Sequence, residues 1–240
     1  MKIIIEGNEL TSEEIDIWKK KHAIQAFRNL HLSVPKIEDT VLLCEELTNL
    51  KCAMSYEELI APLHVKLKLG GYAMKIAAKF AGKKRKRAIT TLYAKGINAA
   101  TFSQIVDSLM LEDTPHNRKI NLAACPEHYA LVARGDTLEV VEKVGCCPVP
   151  TQFFITYNDE TGLITARDTS YPYQSVGIAK LKNGTVIGGI RHQFRDTEEG
   201  LEVRTVVEFP AMCPTYIVRD HQKHLAVEWS SWIEYAISQQ

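Results

Sequence analysis

VRDHQKHLAVEWSSWIEYAIS, residues 218–238, carries Leu225, Trp229, Trp232 and Ala236 at steps of 4, 3 and 4. That spacing puts four apolar side chains on one face of a helix, and Pro214 stands just ahead of it. The preceding eighty residues read differently. Tyr129–Ala133, Thr137–Val144, Gln152–Tyr157, Gly162–Ala166, Ser175–Leu181, Thr185–Phe194 and Leu201–Phe209 are short runs rich in Val, Ile, Thr and aromatics, the residues that suit a pleated, half-buried surface. Turn-forming groups separate them: Arg134-Gly-Asp136, Asn158-Asp159, Lys182-Asn-Gly184 and Glu199-Gly200. A long antiparallel meander followed by one long amphipathic helix predicts an α+β chain. Its back half is expected to take the Bet v 1/START-like helix-grip arrangement, a curved antiparallel sheet closed by the C-terminal helix around a cavity.

The front half reads as helical. Thr11-Ser-Glu-Glu14 fits a capping box. Helical signals follow at Ile15–Phe27, at 37–50, at Tyr56–Ile60, at Tyr72–Phe80 and at Ala88–Met110, where Ala, Lys and Leu dominate. The basic run Lys83–Arg87 reads as a solvated connector between two of these helices. Two regions are expected: a helical N-terminal region over 1–112 and a helix-grip catalytic domain over 113–240.

Lys plus Arg equals Asp plus Glu, 29 each, so the whole chain has no net field toward nucleic acid or a membrane. Met1–Ile5 is too short for a signal peptide, and no run approaches the roughly 18 apolar residues of a membrane span. A cytoplasmic protein is expected, with neither membrane nor nucleic acid as partner. The six cysteines include no C-x-x-C pair, so reduced thiols are expected rather than a disulfide framework or a thiolate metal site.

The chemistry points to His224 and Glu228. Four residues apart on a helix, an imidazole and a carboxylate share a face and can reach one metal ion. A helix offers half a coordination shell, so the sheet must supply the rest. In Leu138-Glu-Val-Val-Glu142, strand alternation puts Glu142 on the face of Leu138 and Val140, with Glu139 opposite. A carboxylate on an apolar face is costly unless it is paired or ligates something. His221, His128, His192 and Arg195 fall where they can approach the same region.

Several blocks of the back half resemble the 2,4-diacetylphloroglucinol hydrolase family, which includes phloretin hydrolase. They are Cys125-Pro-Glu-His-Tyr129, Glu139-Val-Val-Glu-Lys-Val-Gly145, Arg191-His-Gln-Phe-Arg195 with Gly200-Leu-Glu-Val-Arg204 and Glu208-Phe209, and His224-Leu-Ala-Val-Glu-Trp229. The resemblance implies zinc held by two His and two Glu. Glu142, His224 and Glu228 match three of those positions. Counting back from His128 without a gap lands the fourth on Asp113; a small deletion brings His116 there instead, and His116 is taken as the ligand with Asp113 as the alternative. The stretch Asp107–Leu111 lacks the family's tryptophans, so the pocket wall is expected to differ.

The implied reaction is hydrolysis of the carbon–carbon bond between an acyl group and a polyhydroxylated phenolic ring. The substrate class is a small aromatic ketone, and a general acid must protonate the departing ring carbon. Glu127, His128 and His192 are the candidates. The helical front would cap the cavity or form a homodimer contact. Two other classes compete: a non-catalytic helix-grip protein holding a hydrophobic ligand without metal, and a DNA-binding protein using Lys83–Arg87, whose binding would fall with salt.

Overall fold

The computed structural model describes residues 1–240. In chain order it contains β1 (Lys2–Ile5), β2 (Asn8–Glu9), α1 (Ser12–Asn29), α2 (Thr40–Ala53), α3 (Tyr56–Ile60), α4 (His64–Ala81), β3 (Arg85–Ala94), α5 (Ala99–Leu111) and α6 (Pro115–Ala124). Then follow β4 (His128–Arg134), β5 (Thr137–Glu142), β6 (Thr151–Tyr157), β7 (Tyr173–Lys180), β8 (Val186–Thr197), β9 (Gly200–Pro210) and α7 (Thr215–Ser238). All nine strands form one antiparallel sheet in the order β2-β1-β3-β9-β8-β7-β6-β5-β4. The chain is α+β: N-terminal helices, a long antiparallel sheet, and a 24-residue C-terminal helix lying against it. No helix is long and apolar enough to cross a membrane.

Local sequence explains most of these elements. Thr11 and Glu14 form the expected reciprocal cap on α1, and Ser55 with Glu58 repeats it on α3. Leu225, Trp229, Trp232 and Ala236 are buried along α7 and join strand residues such as Leu138, Val140, Phe194 and Val203 in the main core. A second core, built on Phe27, Leu43, Leu47, Leu59 and Leu63, seats α1, α2 and α3 against Tyr129 and Val141 on the outer face of β4 and β5. The sheet edge carrying β4 and β5 is therefore packed on both faces.

Three sequence expectations need correction. Residues 88–110 are not one helix: Arg85–Ala94 is β3, and the helix starts at Ala99. The β-branched run Ile89-Thr90-Thr91 alternates buried and half-buried positions, a period of two that the Ala and Lys content of the region hides. By the same token Lys83–Arg87 is not a connector, since Arg85, Lys86 and Arg87 pair with Pro210, Phe209 and Glu208 of β9. Residues 162–166 form no strand. The Ile164 and Thr165 N–H groups donate to the Glu208 carboxylate rather than to a ladder. β1, β2 and β3, from the first 112 residues, belong to the same sheet as β4–β9.

Candidate metal centre

His128 opens β4 and Glu142 closes β5, and the two lie directly opposite each other in the ladder. Above them α7 presents His224 and Glu228, one turn apart. One donor atom from each of these four buried residues lies within 4.8 Å of the others. His128 Nε2 is 3.2 Å from His224 Nε2, 3.6 Å from a Glu142 oxygen and 3.4 Å from a Glu228 oxygen; His224 Nε2 is 3.6 Å from the same Glu142 oxygen. A tetrahedral ion with nitrogen and oxygen ligands at about 2.0–2.2 Å sets neighbouring donors roughly 3.3–3.6 Å apart. Four of the six donor–donor edges, at 3.2–3.6 Å, come close to that length, and the other two stay within 4.8 Å.

The far side of each imidazole is occupied, which fixes the ring nitrogen that faces the cluster. His128 Nδ1 donates to the Asn121 carbonyl at 2.8 Å, leaving the Nε2 lone pair for a metal. His224 Nδ1 lies 3.7 Å from Cys125 Sγ. Partners of this kind orient a metal-binding imidazole. Burial raises the Cys125 thiol well above its usual range, so it stays protonated. Cys125 lies on the Nδ1 side of His224, whereas Nε2 of that ring meets His128 and Glu142, so the two glutamates complete the donor set with Nε2 of both histidines.

The backbone under His128 is held from below. Lys51, fully buried, donates from Nζ to the carbonyls of Leu122, Pro126 and His128. Burial lowers its pKa to about 8. On the other flank Gly145 turns at φ 52°, where an added Cβ would sit 2.7 Å from the Ile217 carbonyl and 2.9 Å from the His221 nitrogen. The turn after β5 must pass this close to α7 for Glu142 to sit beneath His224, and only glycine permits it.

Without a counter-ion the cluster is electrostatically costly. Burial pushes the Glu142 carboxyl up to about 8; His128 opposes the shift, while Glu228 and Glu127 add to it. Burial disfavours a charged His128, but Glu228 and Glu142 outweigh it and raise its pKa. His224 is driven well below its ordinary value, first by burial and then by the neighbouring His221 and His128. Divalent-cation uptake must displace the Glu142 proton. Zinc affinity is therefore expected to fall at least about tenfold for each pH unit below 8, one proton leaving Glu142 and a second leaving His128 as the pH falls further. Isothermal titration at several pH values reads it directly, and a pH-independent affinity between 6 and 8 would contradict the assignment.

His116 lies outside this cluster. It is on the exposed side of α6, with Nε2 2.8 Å from the Tyr235 hydroxyl. Asp113, in the segment just before α6, is exposed as well. The fourth donor position belongs to His128, expected above as a general acid. The family resemblance implies His116, or Asp113, at that position; the structure brings His128 there instead. Strand pairing supplies the missing signal: the first residue of β4 must face the last residue of β5.

Glu127 is also elsewhere. Its carboxylate points away from the cluster, accepting from Lys143 Nζ at 2.6 Å and lying 2.5 Å from His22 Nδ1. His22 stacks on Trp18, and Trp18 meets His224 edge-on. Arg195 pairs with Glu202 and lies over the Tyr171 ring, away from the cluster.

Glu142 and Glu228 of the cluster line one end of a narrow cavity of about 90 Å³, partly open to solvent, between α7 and the sheet. Its walls are mostly apolar, among them Leu138, Val140, Phe153, Ile190, Leu225 and Trp229. Glu142 faces the cavity with Leu138 and Val140, while Glu139 lies outside, bonded to Tyr56, Arg134 and Gln152. Among the polar residues lining it are Thr151, Tyr157, Ser175, His192 and His221. His192 Nδ1 accepts from the Val206 N–H, so its Nε2 carries the ring hydrogen. Burial takes His192 and His221 down to about 3, and both are neutral donors or acceptors at ordinary pH.

No protein-family model matches the chain, and no curated protein matches it. Solved structures with some likeness include Ara h 8.0201, at 12% identity and a TM-score of 0.41, over 65% of this chain and 99% of that one. Protein Ms6760 from Mycobacterium smegmatis gives 14%, 0.33, 65% and 92% in the same terms. A protein from Rhizobium leguminosarum gives 13%, 0.33, 65% and 99%. The α+β class rests on the sheet and helices described above, and the site on its own geometry.

Proposed function

We propose that this chain is a zinc-dependent hydrolase that cleaves the carbon–carbon bond between an acyl group and a polyhydroxylated phenolic ring. The observation that carries the hydrolase reading is the buried His128–Glu142–His224–Glu228 set at the end of an apolar cavity. Nitrogen and oxygen donors in a tetrahedral spacing suit zinc better than softer or larger ions. Zinc held there would polarise an oxygen of the substrate and lower the pKa of water beside it. The choice of acyl–phenol cleavage draws on the sequence blocks around Glu142, His192 and His224 that resemble the phloroglucinol hydrolases.

The chain's own residues supply binding and orientation. Trp229, Phe153, Leu138 and Val140 give an aromatic ring an apolar seat and exclude water from it. His192, neutral and with Nε2 carrying hydrogen, is suited to donate to a phenolic or carbonyl oxygen in the cavity. Of the three acid candidates, His192 alone lines the cavity without also belonging to the donor set. In the overall reaction water delivers hydroxyl to the acyl carbon, the ring carbon gains the proton, and free ring and carboxylic acid result. A ring with meta-disposed hydroxyls can take up the bonding pair because its keto tautomer makes the substrate a β-diketone.

A panel of acylated phloroglucinols, resorcinol ketones and plain aryl ketones tests this reading, with chromatography for free ring and acid. Turnover is expected for compounds with ortho and para hydroxyls, and at least ~100-fold less without them, the loss of about 3 kcal/mol of transition-state stabilisation. Cleavage of esters or amides alone would remove the carbon–carbon reading and leave the metal centre standing. Tight binding of a hydrophobic ligand with no cleavage would make the cavity a carrier site.

A further inference from the structure

Helix α4 is apolar on two sides. Gly70, Met74, Ala77, Ala78 and Ala81 pack inward, so closely that a Cβ on Gly70 would lie 2.2 Å from the Pro150 carbonyl oxygen. The opposite side carries Val65, Leu69, Tyr72, Ile76 and Phe80, each between 40% and 70% exposed. At about 100° per residue these five fall within an arc of roughly 80° centred on solvent. Exposed Met212 extends the patch, lining one groove with Tyr72 and Phe80. A row of five large apolar side chains is not the scattered exposure of an ordinary surface.

Charge is segregated onto the same segment. Between Glu58 and Asp107 there is no Asp or Glu, while Lys66, Lys68, Lys75, Lys79, Lys83, Lys84, Arg85, Lys86, Arg87 and Lys95 give ten cations. Lys68, Lys75 and Lys79 flank the apolar row and are exposed, and none of them pairs with a carboxylate. The zero balance of the whole chain hides this, because the compensating acid lies elsewhere. We propose that α4 docks the protein on an anionic lipid bilayer, the apolar row entering the boundary between headgroups and acyl chains and the lysines meeting acidic headgroups. Packing of a second copy on this face would bring the same unpaired lysines together with no acid between them.

The groove beneath α4 shares Met74, Val144, Thr151 and Phe209 with the metal-lined cavity. Docking would set that route against the lipid, so that an acylated phenol held at the boundary between headgroups and acyl chains reaches the site without returning to bulk water. This consequence rests on the hydrolase reading. Docking itself does not, and it is measured without substrate.

Co-sedimentation with phosphatidylcholine vesicles, with and without about one third phosphatidylserine, tests the proposal. Binding to the anionic vesicles is expected to be at least ~10-fold tighter than to the neutral ones, and to weaken as salt rises from ~0.1 to ~0.5 M. Lys68→Glu/Lys75→Glu/Lys79→Glu and Leu69→Glu/Phe80→Glu should each lose it while keeping the wild-type circular dichroism spectrum and thermal unfolding, which report that the fold is intact. No vesicle binding by the wild type would overturn the proposal, as would binding that both variants retain. A stable dimer in solution that Leu69→Glu/Phe80→Glu splits into monomers would make this face a seam between copies instead.

Discussion

His128→Ala is expected to purify as a folded protein that has lost zinc and activity together, while His116→Ala keeps both. Deleting a metal-binding side chain should exceed the 10–100-fold loss typical of its outer partners, so an affinity drop of at least ~100-fold is the expected size. His128 makes three of the four short donor contacts in the cluster, 3.2 Å to His224 and 3.4 Å and 3.6 Å to the two glutamates. His116 contacts only an exposed tyrosine hydroxyl. Cys125→Ala tests the same geometry more gently: loss of the partner of His224 Nδ1 should weaken zinc about tenfold without abolishing it. Elemental analysis beside circular dichroism separates metal loss from unfolding. Retention of zinc by His128→Ala, or its loss in His116→Ala, would return the fourth position to the residue that the family resemblance implies.

The largest effect on stability is expected from Lys143→Met. Lys143 and Glu127 are both buried, 2.6 Å apart, and Lys143 also donates to Gln25 and the Gly145 carbonyl. Removing the lysine leaves a buried carboxylate with only His22 beside it. Breaking such a pair from one side costs about 3–5 kcal/mol, or a fall in Tm of roughly 6–20 °C for a chain of this size. Lys143→Met combined with Glu127→Gln should recover most of the loss, since no unpaired charge then remains. Thermal unfolding of the metal-loaded single and double variants checks this. Equal destabilisation in both would mean that lysine packing, and not the pairing of charge, matters at this position.

Much of the fold was legible because one-dimensional periods survive into three dimensions. The 4, 3 and 4 steps of Leu225, Trp229, Trp232 and Ala236 became the buried face of α7. Alternation at 138–142 separated Glu142, in the cavity, from Glu139, bound to Tyr56 and Arg134. Period fails where composition competes with it. In β3 the helix-forming Ala and Lys masked the alternation of Ala88, Thr90, Leu92 and Ala94, which is decided by pairing with β9 more than a hundred residues later. The metal centre was legible on α7 and β5, where spacing is local, and not on β4. His128 joins the site through strand register, which no local pattern announces. The network of His22, Glu127 and Lys143 was invisible for the same reason, its members being 105 and 16 residues apart. Summed charge misled in another way: zero over 240 residues concealed a segment with ten cations and no acid.

The account stands on a divalent ion at His128, Glu142, His224 and Glu228. Elemental analysis of the wild-type protein purified without added metal, followed by zinc titration of the chelator-stripped form, tests it most directly. About one zinc per chain, removed by chelator and restored on titration with release of protons, is the predicted result. A protein that carries no transition metal and takes up none between pH 7 and 8 would contradict it.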